Sequence, residues 1–283
     1  MTRFLPILLV VVLHGLSSTI VHAQDRCGFD ERLHHRLNQN PDLYQRLDQL
    51  EEAVQEVKRF KRTLQDQEIT IPVVFHVLHK GEAEGKGTNI SSDQIISALD
   101  ELNRAFQGTP PYTGPSSGIR FVLANRSPDC QTTSGIIRVD ANTVCVEGDC
   151  YRTKGITYNN ERAVKALSSW PAESYLNIWI VSEIEGNNAA KGIQGFAQFP
   201  GGEPSTDGVV MLYNAMGSAH AQQKGYTVKE SAKMGRILVH EVGHSLGLYH
   251  SFEGDDYNRD GYGDRCPSYT GCGPFNGDCV EDT

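Results

Sequence analysis

Beyond its first 23 residues this 283-residue chain has no apolar run of about 18 residues, the length a membrane-spanning helix needs. That argues against a membrane anchor in the mature chain. Positive charge is also in short supply, with 26 Lys and Arg against 35 Asp and Glu and a formal net charge of −9. A nucleic-acid partner needs a concentrated basic surface, and no basic cluster follows residue 62. Internal repeats and low-complexity segments are absent as well. The cysteines number seven: Cys27, Cys130, Cys145, Cys150, Cys266, Cys272 and Cys279. An odd count in an oxidising compartment signals a free thiol or a missing partner. The groups 130–150 and 266–279 hold three each, so neither closes its pairs internally.

What is present at the start is a secretion signal. Arg3 supplies a positive end, Leu5 to Leu13 is apolar apart from Pro6, and Val21-His22-Ala23 puts small residues where a signal peptidase reads. Residues 1–23 are therefore expected to be a signal peptide, and the rest to be secreted and extracellular. Residues 24–62 read as a separate unit. Leu47, Leu50, Val54 and Val57 recur at helical spacing, and the segment ends in Arg59-Phe60-Lys61-Arg62. That run resembles a furin-type processing site; its other reading is a basic helix end, where cations offset the helix dipole. Cys27 lies inside this unit. A thiolate there is a zinc ligand able to fill the position of a catalytic water, or it is an unpaired cysteine near a terminus.

Residues 63–283 carry the body. Ile69 to Leu78 is an apolar, β-branched run expected as a buried strand, and its His76 and His79 face opposite sides as packed or edge residues. An amphipathic helix follows from an N-cap at Ser91 or Ser92, with Ile95, Ile96, Leu99, Leu102 and Phe106 on one stripe. Further strands are expected at 119–124, 176–181 and 207–213, with an edge strand within 195–202. Residues 130–150 read as a loop stapled by one disulfide. The pattern of strands and helices indicates an α+β fold, an α/β sandwich with a mixed sheet. Asn89 and Asn125 head N-glycosylation sequons.

The strongest signal is "HEVGHSLGLYH" at residues 240–250. A capping box over Thr227–Glu230 predicts that a helix starts there and runs through the motif. His240 and His244 then lie one turn apart on one face, spaced to hold one ion. Gly247 is a natural helix stop, after which the chain is free to swing His250 back as a third ligand. Three imidazoles and an open fourth position make a catalytic zinc arrangement, with Glu241 placed to act as the general base toward a peptide bond.

The motif is that of the metzincins, and its surroundings resemble their pappalysin family. The segments "IPVVFHVLH", "SYLNIWIVSEI", "GFAQFPGG", "DGVVMLY", "GRILVHEVGHSLGLYHSFEG" and "GDCVEDT" carry the likeness over roughly residues 69–283. The resemblance implies a secreted zinc endopeptidase made as a zymogen, acting on protein or peptide substrates. It implies zinc at His240, His244 and His250, Glu241 as base, and Cys27 in "RCG" as a latency ligand. Relatives continue beyond this point to a methionine-containing turn, whereas no methionine follows Met234 here. The final subdomain is thus expected to be incomplete, and a truncated, non-catalytic zinc-binding protein is the alternative. Asp256, Asn258 and Asp260 alternate ahead of Gly261, with Asp264 further on, like the first half of a calcium loop, although Pro267 stands where an EF-hand has glutamate; the other reading is a polar surface loop. The family's use of the "GDxVxDT" region adds Asp278 and Thr283 as calcium candidates.

Overall fold

The computed structural model describes residues 27–59, 68–189, 192–219, 224, 226 and 228–250. Two helices come first, α1 (Phe29–Gln39) and α2 (Asp42–Arg59). Next are β1 (Ile69–His79), α3 (Ser92–Phe106), β2 (Ile119–Leu123) and β3 (Ile136–Asp140). A small hairpin, β4 (Cys145–Val146) and β5 (Asp149–Cys150), leads into the short helices α4 (Tyr151–Lys154) and α5 (Glu161–Lys165). The chain then runs through β6 (Leu176–Val181), β7 (Gly195–Ala197) and β8 (Val209–Leu212) to α6 (Arg236–Ser245).

The main sheet has six strands in the order β2-β1-β6-β8-β7, with β3 pairing the same edge of β1 further along. All pairs are parallel except β7 with β8, so the edge strand β7 runs against the rest. This explains the unbroken apolar run of β1. A strand flanked on both edges and covered on both faces has no solvent side to alternate with, and Val73, Val74, Phe75, Val77 and Leu78 are all fully buried. α3 covers the sheet with Ile95, Ala98, Leu99 and Leu102, and packs against α6. Burying each of the larger side chains, Ile95, Leu99 and Leu102, contributes roughly 1.5–3 kcal/mol. The Ser91 hydroxyl caps α3 by accepting from Gln94 N at 3.3 Å, as the sequence predicts.

Several expectations change. β3 lies in the stretch read as loop, because Ile136–Asp140 pairs as the strand that extends the β1 edge. The staple in that region is Cys145–Cys150, and Cys130 is exposed with no disulfide partner among the described residues. On α2, Leu47 is buried but Val54 and Val57 are exposed among the described residues. His76 is wholly buried, with Nε2 2.9 Å from Asn177 Oδ1 and the ring stacked on Trp179. Burial lowers its pKa to about 4, so the ring is a neutral packing group. His79, at the strand's end, accepts from Gly81 N through Nδ1.

The two sequons part company. Asn89 is only 5% exposed, donates from Nδ2 to Glu82 O at 2.7 Å, and accepts from Arg138 Nη1 at 2.6 Å. Asn125 is exposed. Expression in a glycosylating secretory host is expected to add a glycan at Asn125 and none at Asn89. Asn125→Gln then removes the enzymatically releasable mass, and a shift on Asn89→Gln instead would refute the assignment.

Candidate metal centre

Helix α6 does not begin at the expected capping box. Thr227 lies outside the described residues, and Glu230–Ala232 forms a single 3-10 turn in which the Glu230 carboxylate takes the Lys233 ammonium. The chain then breaks at Gly235, whose left-handed φ of +66° favours glycine, and α6 starts at Arg236. A Cβ at Gly235 would stand 2.8 Å from Glu101 Cγ, so glycine there also lets the chain approach α3. Sequence pattern alone does not reveal that contact.

The C-terminal end matches expectation. Gly247 adopts φ +94°, its N–H donates to His244 O at 2.9 Å, and Leu248 N–H donates to Gly243 O at 3.0 Å. These two bonds form a Schellman motif. It reverses the chain and returns His250 to the ring faces of His240 and His244. The three Nε2 atoms stand 3.0 Å (His240–His244), 3.1 Å (His244–His250) and 3.2 Å (His240–His250) apart.

A fourth donor comes from the far end of the chain. Cys27 Sγ lies 3.5 Å from His244 Nε2, and one ligand atom from each of Cys27, His240, His244 and His250 lies within 4.8 Å of every other. A tetrahedral zinc ion with Zn–N of about 2.05 Å and Zn–S of about 2.3 Å sets donor separations of roughly 3.3 Å (N···N) and 3.5 Å (N···S). The three N···N spacings and the Cys27–His244 distance are close to those values. Donor chemistry agrees. His244 Nδ1 lies 2.7 Å from Leu248 O, an acceptor, which makes Nδ1 the protonated nitrogen and leaves the Nε2 lone pair facing the cluster. Partial desolvation and then His250 lower His240 to about 4 although its surface is exposed, and burial followed by His240 and His250 lowers His244 to about 3, so both rings are neutral at physiological pH. His250 Nδ1 is oriented by Asp30 Oδ1 at 3.2 Å.

Glu241 is completely buried beside this cluster. Burial pushes its pKa up to about 8. One carboxylate oxygen, Oε2, is 3.7 Å from Cys27 Sγ, and Oε1 has no partner among the described residues. Burial and the Glu241 charge raise the Cys27 thiol far above its ordinary value. A dication is the partner that reverses this, because a coordinating thiol is deprotonated outright. The calcium candidates Asp256, Asn258, Asp260, Asp264, Asp278 and Thr283 all lie outside the described residues, as do Cys266, Cys272 and Cys279.

Residues the sequence did not single out hold Cys27 in place. Its segment pairs with the outer edge of β7 through a bridge to Gly195, where Gly28 N–H donates to Gly195 O at 2.9 Å. Phe29 stacks on the His244 ring, 4.0 Å between centroids and 4° from parallel. Arg32, 1% exposed, donates to Glu161 (2.9 Å) and Glu185 (2.7 Å), and Arg36 donates to Glu161 at 2.8 Å. Burial raises the Glu161 carboxyl, but Lys165, Arg36 and Arg32 together outweigh it and hold the group well below the carboxylate range.

A mostly parallel sheet with an antiparallel edge strand above a helix bearing His240 and His244 is the architecture of a metzincin-type zinc peptidase. The profile of the peptidase M43 family, described as pregnancy-associated plasma protein-A, matches residues 157–281. The fold is similar to that of a Tannerella forsythia promirolysin mutant, with a TM-score of 0.63 and 27% identity over 91% of this chain and 75% of that one. Mature mirolysin from the same organism, bound to a cleaved peptide, gives a TM-score of 0.53 and 28% identity over 77% and 72% of the two chains. In sequence, an extracellular metalloprotease of Trichophyton verrucosum (strain HKI 0517) is 26% identical over 65% of this chain. One from Arthroderma otae (strain ATCC MYA-4605 / CBS 113480) is 27% identical over the same share. This chain covers 53% of each of those relatives, about half their length. Over residues 157–281 the chain is thus similar to the pappalysin family of metzincins, peptidase family M43, and its fold is similar to that of promirolysin.

Gly195 tests how tightly the centre is packed. A Cβ there would meet Met211 Sδ at 2.9 Å and Glu241 Cγ at 3.0 Å. Gly195→Val is expected to lower stability by roughly 1–3 kcal/mol through overpacking against Glu241, read by denaturant unfolding. Unchanged stability would contradict the contact.

Proposed function

We propose that this chain is the latent form of a secreted zinc-dependent endopeptidase, in which residues 24–62 are a pro-segment silencing residues 63–283. The observation that carries the reading is the donor cluster itself, in which Cys27 joins the three histidines of the motif. The likeness to promirolysin and to relatives named extracellular metalloproteases supports the zymogen and the location.

In this reading His240, His244 and His250 hold the zinc ion, and Cys27 fills the fourth position until the segment leaves. The zinc ion supplies the Lewis acidity that polarises a peptide carbonyl and acidifies a water molecule. Glu241 takes the proton from the attacking water on a carboxylate oxygen and delivers it to the leaving amine. Its carboxylate stands beside the cluster, with Oε2 3.7 Å from the Cys27 Sγ that marks the fourth position. The β7 edge does a second job. Gly195 O, which now accepts from Gly28 N–H, becomes available to the backbone of an extended substrate when residues 24–62 depart.

The test uses the zinc-loaded full chain, the chain cleaved after Arg62, and single variants, assayed on a mixed protein substrate. The intact chain is expected to be inactive and the cleaved chain active, with full-length Cys27→Ala far less active than the cleaved chain because Gly28 and Phe29 still cover Gly195 and His244. Glu241→Ala is expected to lose roughly 10²–10⁴-fold or more of the cleaved chain's rate. One zinc per cleaved chain with no hydrolysis would overturn the reading in favour of a non-catalytic zinc-binding protein.

A further inference from the structure

The Arg32 side chain occupies a site built by another part of the molecule. Its guanidinium lies between two aromatic faces, 4.0 Å from the Tyr158 ring centroid and 4.1 Å from that of Phe196. In the plane of the guanidinium it meets Glu161 at 2.9 Å and Glu185 at 2.7 Å. Cation–π stacking above and below with carboxylates at the rim is a strongly selective environment for arginine, whose planar fork both contacts require.

The site is organised without help from α1. Tyr158 N–H donates to Glu185 Oε1 at 2.9 Å, and Glu185 N–H donates to Ile156 O at 2.9 Å. Glu185 itself sits at φ +51°, an uncommon backbone conformation for a non-glycine residue that accompanies a fixed side-chain direction. Beneath it Gly155, at φ +64°, lets the two segments touch, since a Cβ there would be 2.0 Å from Glu183 O. Lys165 is a resident cation, bonded to Glu161 Oε1 and Thr206 O, each at 2.7 Å. Asp207 adds a third carboxyl, raised by burial and lowered by Lys165 and Arg36. Glu161, Glu185 and Asp207 against Lys165 leave two uncompensated negative charges, which Arg32 and Arg36 neutralise.

We propose that Tyr158, Phe196, Glu161 and Glu185 form a resident guanidinium-binding site, filled in cis by Arg32 and open to an arginine side chain of a bound peptide once residues 24–62 leave. Gly195 turns toward Glu241, and the next residue, Phe196, turns to the opposite face of β7. The site is therefore an anchoring subsite across the edge strand from the metal centre. Only its use by a substrate rests on the pro-segment reading.

The experiment measures thermal unfolding of the full chain carrying Arg32→Ala, titrated with millimolar agmatine, and with butylamine as an ammonium control. Arg32→Ala is expected to lower Tm by roughly 6–20 °C, because Glu161 and Glu185 lose a buried partner. Agmatine is expected to restore Tm saturably, butylamine to bind roughly tenfold more weakly, and Glu185→Gln in the same chain to abolish the rescue. No saturable agmatine effect, or equal rescue by butylamine, would overturn the site. Should Arg32→Ala not accumulate folded, Arg32→Gln is refolded with and without agmatine. Guanidinium-specific recovery of folded protein supports the site, and its absence in both variants rejects it. None of these readouts requires zinc or proteolysis, so failure of the peptidase reading leaves them interpretable.

Discussion

Three imidazole nitrogens converge to 3.0–3.2 Å of one another, a spacing at which a single cation can be shared, and the surrounding structure holds them there. The helix α6 supplies two rings one turn apart, and the turn at Gly247 supplies the third. The edge strand β7 presses against α6 at Gly195, where any side chain would collide with Glu241. The sheet behind β7 is buried on both faces, so the strand cannot retreat. A convergence of donors with no room to relax is what gives a metal its selectivity and a neighbouring carboxylate its basicity.

The N-terminal helices complete this centre from outside. They reach it through three kinds of contact that fail independently: a thiol among the ligands, a phenyl ring on His244, and two arginines in a buried acidic site. Buried ion pairs add little net stability when compared with apolar packing, but breaking one partner away is expensive. In the zymogen reading proposed above, such an arrangement would keep the segment docked until it is cut. A cleaved segment loses its covalent tether, and each of the three contacts then becomes an exchangeable one.

Much of this was legible in the residues. The spacing of His240, His244 and His250, the neighbouring Glu241 and the stop at Gly247 gave the metal motif without coordinates, because helical periodicity and glycine's positive φ are local properties. The apolar runs gave β1, β6 and β8 for the same reason. β3 escaped because Ile136–Asp140 is short and flanked by turn residues, and its strand character comes from pairing with β1. The α6 start was misplaced because a local capping pattern at 227–230 was outweighed by the approach of Gly235 to α3. Arg32, Phe29, Glu161 and Glu185 were invisible for a stronger reason. Arg32 and its carboxylates lie 129 and 153 residues apart, and no local signal marks either as a partner.

The central claim is that one ion is held jointly by the motif histidines and Cys27. Zinc-edge X-ray absorption on the intact full chain addresses it directly. The account predicts one zinc per chain with three nitrogen scatterers at about 2.0–2.1 Å and one sulfur at about 2.3 Å. A shell of nitrogen and oxygen alone, or a sulfur signal that persists in Cys27→Ser, would contradict it.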